Sequence, residues 1–182
     1  MSALRLTMIG ALILTLAGCG RLDATREFNY GLKYFNDQKF DAAVRHFERA
    51  SEALPDAAIR YNLALAHLAL LRESSAGDDP SDPQPQAIAA ALAAVSAARE
   101  LPELTDEMLA KLGYIEGSIH ALAKDEKAAR RAFAESLEAE PDFKPTLKAL
   151  LELDSESDTP AGRLVLATAE VDQLEPAKKL FE

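Results

Sequence analysis

Few residues of this 182-residue chain could do chemistry: its sequence contains one cysteine and three histidines. Cys19 ends an apolar run in the segment "LTLAGC". A nucleophilic site requires a serine or cysteine supported by a base, so the candidate bases are His46, His67 and His120. His67 and His120 occupy the place that Tyr34 takes in a repeated pattern described below. This spacing favours a packing role for both.

The sequence contains no motif typical of a metal site or a cofactor site. Neither the HExxH pattern nor paired CxxC motifs occur, and there is no glycine-rich phosphate loop. The carboxylates fall mostly on predicted helix exteriors near Lys or Arg, which is typical of a solvated surface. We therefore expect no catalytic residue, metal site, cofactor or small-molecule substrate. The least favoured alternative is a hydrolase with an unrecognised site.

The amino-terminal residues follow the three-part pattern of an export signal. Arg5 precedes an apolar stretch over residues 6–16, and the small residues Ala17 and Gly18 come next. A membrane-spanning helix needs roughly 20 apolar residues, so this stretch is too short to favour permanent insertion. The pattern predicts export followed by cleavage.

The four residues Leu16-Ala17-Gly18-Cys19 resemble the lipobox of bacterial lipoproteins. The resemblance implies a signal peptide over 1–18, diacylglycerol on the Cys19 thiol, an acyl chain such as palmitate on the new amino group, and a lipidated tether over 19–23. Asp after the cysteine is typical of lipoproteins kept in the inner membrane, whereas this chain has Gly20. The resemblance therefore implies an outer-membrane anchor facing the periplasm, with the inner membrane left open. The alternative is a plain secretory signal followed by an incidental cysteine.

Charge and composition narrow the class of protein. The net charge is −10, and a product that begins at Cys19 would have 19 basic and 30 acidic side chains. Such a surface repels phosphate backbones, and no basic stripe is interleaved with aromatic residues, so we expect no nucleic-acid binding. Hydrophobic residues make up 48% of the sequence but aromatic ones only 6%, and this alanine-rich mixture favours helices.

Three segments share one spacing of small, aromatic and proline residues. The first contains Gly31, Tyr34, Ala43, Phe47, Ala50 and Pro55. The last contains Gly117, His120, Ala129, Phe133, Ser136 and Pro141. The middle one contains Ala64 and His67 and, after an insertion, Ala90, Ala94, Ala97 and Pro102. Each segment is predicted to be a helical hairpin that buries its apolar face only by stacking on its neighbours.

The residue types explain the spacing physically. A small residue at Gly31, Ala64 or Gly117 lets two helices approach closely, and Phe47 and Phe133 fill the space beyond. The closing prolines cannot continue the preceding helix and favour the start of the next one.

This pattern resembles the tetratricopeptide repeat (TPR). The resemblance implies an all-α fold: an α-solenoid of about three TPR helical hairpins plus C-terminal capping helices. Ala94 stands where an aromatic residue is expected, so the middle unit is the least regular. The alternative is a generic alanine-rich helical bundle. The predicted units are a TPR domain over 24–153, with repeats at about 24–56, 57–102 with a loop at 72–86, and 105–141, a cap helix at 145–153, and an acidic linker and C-terminal helix over 154–182.

The resemblance also implies a concave partner-binding groove lined by the first helix of each hairpin. Three aromatic residues each lie three positions before the small residue, with amides beside them and leucines one turn along. These predicted groove residues are Phe28, Asn29, Leu32, Tyr61, Asn62, Leu65 and Tyr114. The alternative, that this column packs against neighbouring helices, stays open.

We accordingly expect a membrane-anchored, periplasm-facing TPR scaffold that binds another cell-envelope protein or peptide. A pilotin-like lipoprotein that assists outer-membrane assembly of a pilus or secretion component is the alternative.

Overall fold

The computed structural model describes residues 21–76, 84–102 and 104–156. These residues form seven helices and no strand, so the predicted all-α class is confirmed for this part of the chain. The helices are α1 (21–36), α2 (Phe40–Ala53), α3 (Ala57–Ala76), α4 (Pro85–Arg99), α5 (Asp106–Leu122), α6 (Glu126–Ala139) and α7 (Lys144–Glu156).

Neighbouring helices pack against one another along the chain. Helix α3 contacts α2, α4 and α5, and α5 contacts α3, α4, α6 and α7. The largest group of buried apolar residues lies between α3, α4 and α5, and includes Leu68, Val95 and Ile119. Helices α3 and α5 therefore each contact helices that precede them and helices that follow them in the chain.

Several predicted boundaries differ from the observed ones. Residues 21–23, predicted as tether, are helical, as are residues 72–76 and 85–86 of the predicted loop. Helix α7 contains the predicted cap helix and continues to Glu156. The signal peptide, Cys19 and the predicted C-terminal helix lie outside the described residues.

Close packing within two helical pairs depends on a glycine facing a phenylalanine. An added Cβ at Gly31 would lie 2.5 Å from Cε1 of Phe47, and one at Gly117 would overlap the ring of Phe133. Both phenylalanines are fully buried. The predicted role of the small residues is thereby confirmed for the α1–α2 and α5–α6 pairs.

The same two pairs have matching turns. Gln38 and Lys124 both adopt the left-handed conformation, with φ of 59° and 60°. After each of them, a backbone N–H donates to a carbonyl five residues earlier, from Lys39 to Tyr34 and from Asp125 to His120, both at 2.9 Å. This arrangement is the Schellman motif that ends many helices.

The two turns differ in how the next helix begins. Lys39 and Asp125 have similar backbone angles, but only the Asp125 carboxylate accepts a hydrogen bond from the amide of Ala128, at 3.0 Å. We expect Asp125→Ala to lower the free energy of unfolding by about 1 kcal/mol and Lys39→Asp to raise it by a similar amount. Urea denaturation followed by circular dichroism would measure both. Equal effects of aspartate and alanine at position 39 would contradict the argument.

The packing register of the middle pair differs from the predicted one. The buried residues of α4 are Ala91, Ala94, Val95 and Ala98. Ala90 is exposed and Ala97 is only partly buried. Val95 therefore takes the place that Phe47 and Phe133 take in the other pairs, and the assignment of Ala90, Ala94 and Ala97 is displaced by one residue.

The cause lies in how α4 ends. Glu100, the residue after α4, keeps near-helical angles (φ −73°, ψ −10°), whereas Leu54 and Glu140, which follow α2 and α6, are extended. The backbone after α4 therefore runs in a different direction from the backbone after α2 and α6. As a result, Pro102 does not mark the same register as Pro55 and Pro141.

Candidate functional site

The predicted groove residues fall into two groups. Phe28 and Leu32 of α1 pack against the buried cluster around Phe47 of α2, and the rings of Phe28 and Phe47 are 5.7 Å apart. Tyr61 and Leu65 of α3 instead pack on the larger core shared with α4 and α5. The structure therefore does not gather all seven residues into one packed set.

Tyr114 of α5 belongs to the second group. Its ring centroid lies 6.4 Å from that of Phe133 and 6.2 Å from that of Phe143. All three aromatic residues of the predicted column are half-buried. Much of the apolar area of these rings thus contacts neighbouring helices. Only the exposed edge of each ring is accessible to a partner.

The two predicted amides differ in accessibility. Asn29 is exposed on α1, whereas Asn62 is half-buried and its Nδ2 donates to the carbonyl of Ala58 at 2.7 Å. Asn62 thus uses one donor within its own helix. Asn29 is the more accessible of the two amides.

Two cations flank the tyrosines, and the sequence analysis missed both. Arg72 Nη2 donates to the hydroxyl of Tyr114 at 3.1 Å and approaches Ser118 Oγ at 3.4 Å. The Arg72 guanidinium carbon lies 5.9 Å from the Tyr114 ring centroid, and Lys111 Nζ lies 5.9 Å from that of Tyr61. We call Tyr61, Arg72, Lys111 and Tyr114 the tyrosine–cation surface.

The electrostatics of this surface follow from its neighbours. A hydrogen bond to Glu107 raises the pKa of Lys111, and burial raises the pKa of Tyr61. Lys111 therefore stays positively charged and Tyr61 stays a neutral hydroxyl at neutral pH. Arg72 donates to the hydroxyls of Tyr114 and Ser118. Because these hydroxyls are uncharged, the two contacts do not neutralise the guanidinium. The surface can bind a segment that combines acidic and apolar side chains.

A signal for the missed cations was present in the sequence. Arg72 lies eleven residues after Tyr61 and Lys111 lies three before Tyr114, and both intervals place the pair on one side of a helix. The packing of α3 against α5 brings Arg72 next to Tyr114 and Lys111 next to Tyr61. The spacing within each helix does not predict these contacts.

The three histidines are all partly buried. His46 Nδ1 is 2.8 Å from Glu27 Oε2, and its imidazole stacks on Tyr34 with ring centroids 5.0 Å apart. The hydrogen bond with His46 lowers the pKa of Glu27. His67 borders a small pocket that Ser74 also lines, but Ser74 Oγ donates to the carbonyl of Leu71 at 2.8 Å. That contact directs the hydroxyl proton away from the imidazole.

Burial lowers the pKa of His67. The unfolded chain therefore binds a proton at His67 more readily than the folded chain does, and stability falls as the pH drops through about 6.5. We expect His67→Gln to reduce the loss of unfolding free energy between about pH 7.5 and pH 5.5. Parallel urea titrations at the two pH values would measure the difference. An identical pH dependence in both proteins would show that His67 does not contribute.

No group of three or more His, Cys, Asp and Glu side chains in the described part of the chain could hold a metal ion. None of the helices over these residues is both long and apolar enough to cross a membrane.

Comparison of the sequence with protein-family models and with curated proteins gives no match.

Proposed function

We propose that this chain is a lipid-anchored, periplasm-facing scaffold of the TPR type, which binds another cell-envelope protein or peptide. The supporting observation is the recurrence of one structural unit. The first and last complete helical pairs share the glycine–phenylalanine contact, the left-handed residue and the Schellman turn at corresponding positions. Such recurrence is typical of stacked repeats.

The order of helix contacts also supports a solenoid. Helix α3 contacts its partner α4, the preceding α2 and the next first helix α5, and α5 repeats this pattern with α6, α4 and α7. Stacking of this kind presents the first helices side by side along one surface. The tyrosine–cation surface extends across α3 and α5 on that side.

The chemistry of the surface indicates the kind of segment that it binds. Tyrosine edges supply apolar area and hydroxyls. Arg72 supplies positive charge in a strongly acidic protein, whereas Lys111 is already ion-paired with Glu107. Tyrosine and arginine are also enriched among residues that dominate binding energy. We therefore propose a partner segment that contains both apolar and acidic residues.

The proposed anchor is Cys19. Several acyl chains hold a protein stably on a bilayer, at about 0.8 kcal/mol per buried methylene group. The described helix α1 includes Arg21, two residues after Cys19. Partners of the scaffold should therefore be close to the membrane.

Photocrosslinking in cells tests the binding surface. A photoreactive phenylalanine analogue would replace Tyr61 or Tyr114, and Glu48, exposed on α2, provides the control position. We expect a discrete envelope-protein adduct from the two tyrosine positions and not from position 48. Capture of a secretin would favour the pilotin-like alternative. Equal adducts from all three positions would contradict the proposed surface.

Incorporation of labelled palmitate tests the anchor separately. The wild-type protein should incorporate the label and stay in the membrane fraction, whereas Cys19→Ser should lose the label and become soluble. Incorporation that persists in Cys19→Ser would exclude Cys19 as the lipidated residue.

A further inference from the structure

One face of α1 carries an unusual pair of exposed residues. Among the described residues, Leu22 and Tyr30 are the exposed large hydrophobic side chains, at 75% and 46% exposure. They lie on the same side of α1 and border one shallow open concavity. The residues that line it are Leu22, Thr25, Arg26, Asn29, Tyr30 and Lys33, which we call the α1 face.

Corresponding positions in the later units explain why this face is uncovered. Leu63 of α3 corresponds to Tyr30 and packs against the cluster formed with α1 and α2. Glu116 of α5 also corresponds to Tyr30, and its Oε2 lies 2.9 Å from Arg99 Nη2 of α4. In both later units this side of the first helix contacts the preceding pair. Helix α1 is the first described helix, so no described pair precedes it.

Repeat proteins normally make such terminal faces polar for solubility. Leu22 and Tyr30 depart from that rule, so burying the α1 face against another surface would remove exposed apolar area from water.

The charge distribution favours an anionic occupant. Residues 21–33 contain three basic and two acidic side chains, whereas residues 34–182 contain 16 basic and 28 acidic ones. Glu27 Oε2 lies 2.8 Å from His46 Nδ1 of α2, and Arg26 pairs with Asp23 at 3.2 Å and with Glu27 at 3.6 Å. Lys33 is exposed beside Tyr30. An anionic surface would thus attract this end of the protein and repel the rest.

We propose that the α1 face rests on the surface of the anionic bilayer that holds Cys19. The proposal depends on the lipid anchor of the proposed function. Leu22 is three residues from Cys19, so the chain keeps it within about 10 Å of the anchored residue. Leu22 and Tyr30 enter the interfacial region, where tyrosine rings are favoured, and Arg26 and Lys33 contact lipid phosphates. The bilayer then orients the scaffold.

Spin labelling of the processed lipoprotein tests this contact. A cysteine would replace Leu22 or Tyr30, with Ser96, exposed on α4, as the control position. The labelled proteins would be reconstituted into vesicles of phosphatidylethanolamine and phosphatidylglycerol. We expect labels at 22 and 30 to become accessible to oxygen and protected from an aqueous nickel complex, while the label at 96 stays accessible to nickel. Nickel accessibility at 22 and 30 equal to that at 96 would overturn the proposal.

Charge reversal tests the electrostatic part. Arg26→Glu with Lys33→Glu should shift the equilibrium away from bilayer contact by about fivefold or more for each charge removed. Lys127→Glu with Lys144→Glu, both at exposed positions, provides the matched control and should have little effect. Equal loss of protection in the two double variants would contradict specific contact.

Two further outcomes are distinguishable. Failure of the lipid anchor would appear in the parent protein, because an unmodified Cys19 thiol would take the spin label and the protein would not float with vesicles. Dipolar coupling between labels at position 30, with protection that does not depend on lipid, would assign the α1 face to a second copy of the chain and overturn the proposal.

Discussion

Replacing Phe133 with alanine is expected to lower the free energy of unfolding by about 3–5 kcal/mol. Phe133 is 1% exposed, and its ring fills the space opposite Gly117 and lies beside Tyr114. The substitution removes that ring and leaves a cavity between α5 and α6, because the two helices cannot fully collapse around alanine. Urea denaturation monitored by circular dichroism at 222 nm, a wavelength that reports helix content, would measure the loss.

The matched control is Phe143→Ala. Phe143 also contacts Tyr114, in an edge-to-face arrangement, but it is only half-buried. Its replacement should therefore cost less than that of Phe133. Similar losses at the two positions would contradict the view that the glycine–phenylalanine contact forms the centre of the hairpin.

Adding a single methyl group at Gly117 is expected to destabilise the protein by up to about 2 kcal/mol. Alanine is intrinsically better than glycine inside a helix by about 1 kcal/mol, but overpacking costs about 1–3 kcal/mol. The added Cβ overlaps the Phe133 ring, which is too deeply buried to move freely. Overpacking should therefore dominate in Gly117→Ala.

Two comparisons isolate this effect. Ala134→Gly, at an exposed position of α6, should also destabilise the protein by about 1 kcal/mol, which shows that alanine is preferred where no ring opposes it. The double variant Gly117→Ala with Phe133→Ala should lose less stability than the sum of the two single variants, by roughly 1 kcal/mol or more. Additive losses would show that the two residues do not oppose each other.

The middle helical pair achieves similar packing with different residues. Ala64 and Val95 both lie in the core between α3, α4 and α5, where the outer pairs have glycine and phenylalanine. In the middle pair, α3 thus has alanine instead of glycine, and α4 has valine instead of the larger phenylalanine.

The sequence by itself determined the helical class, the hairpin organisation of the outer pairs and the small residues at their contacts. These features depend on local patterns: proline and glycine restrict the backbone, and the spacing of apolar residues selects one face of a helix. The predicted assignment to lipoproteins depends on four residues that end at Cys19, and no packing of the described helices bears on it.

Only the tertiary structure decided the register of α4, the separation of the predicted groove into two groups, and the positions of Arg72 and Lys111 beside the tyrosines. Each depends on contacts between residues far apart in the chain, as between Arg72 and Tyr114. Helical spacing shows which residues share a face, but it does not show which face of another helix lies opposite. That choice is made by packing volume and by how the chain leaves each helix, as the near-helical Glu100 after α4 shows.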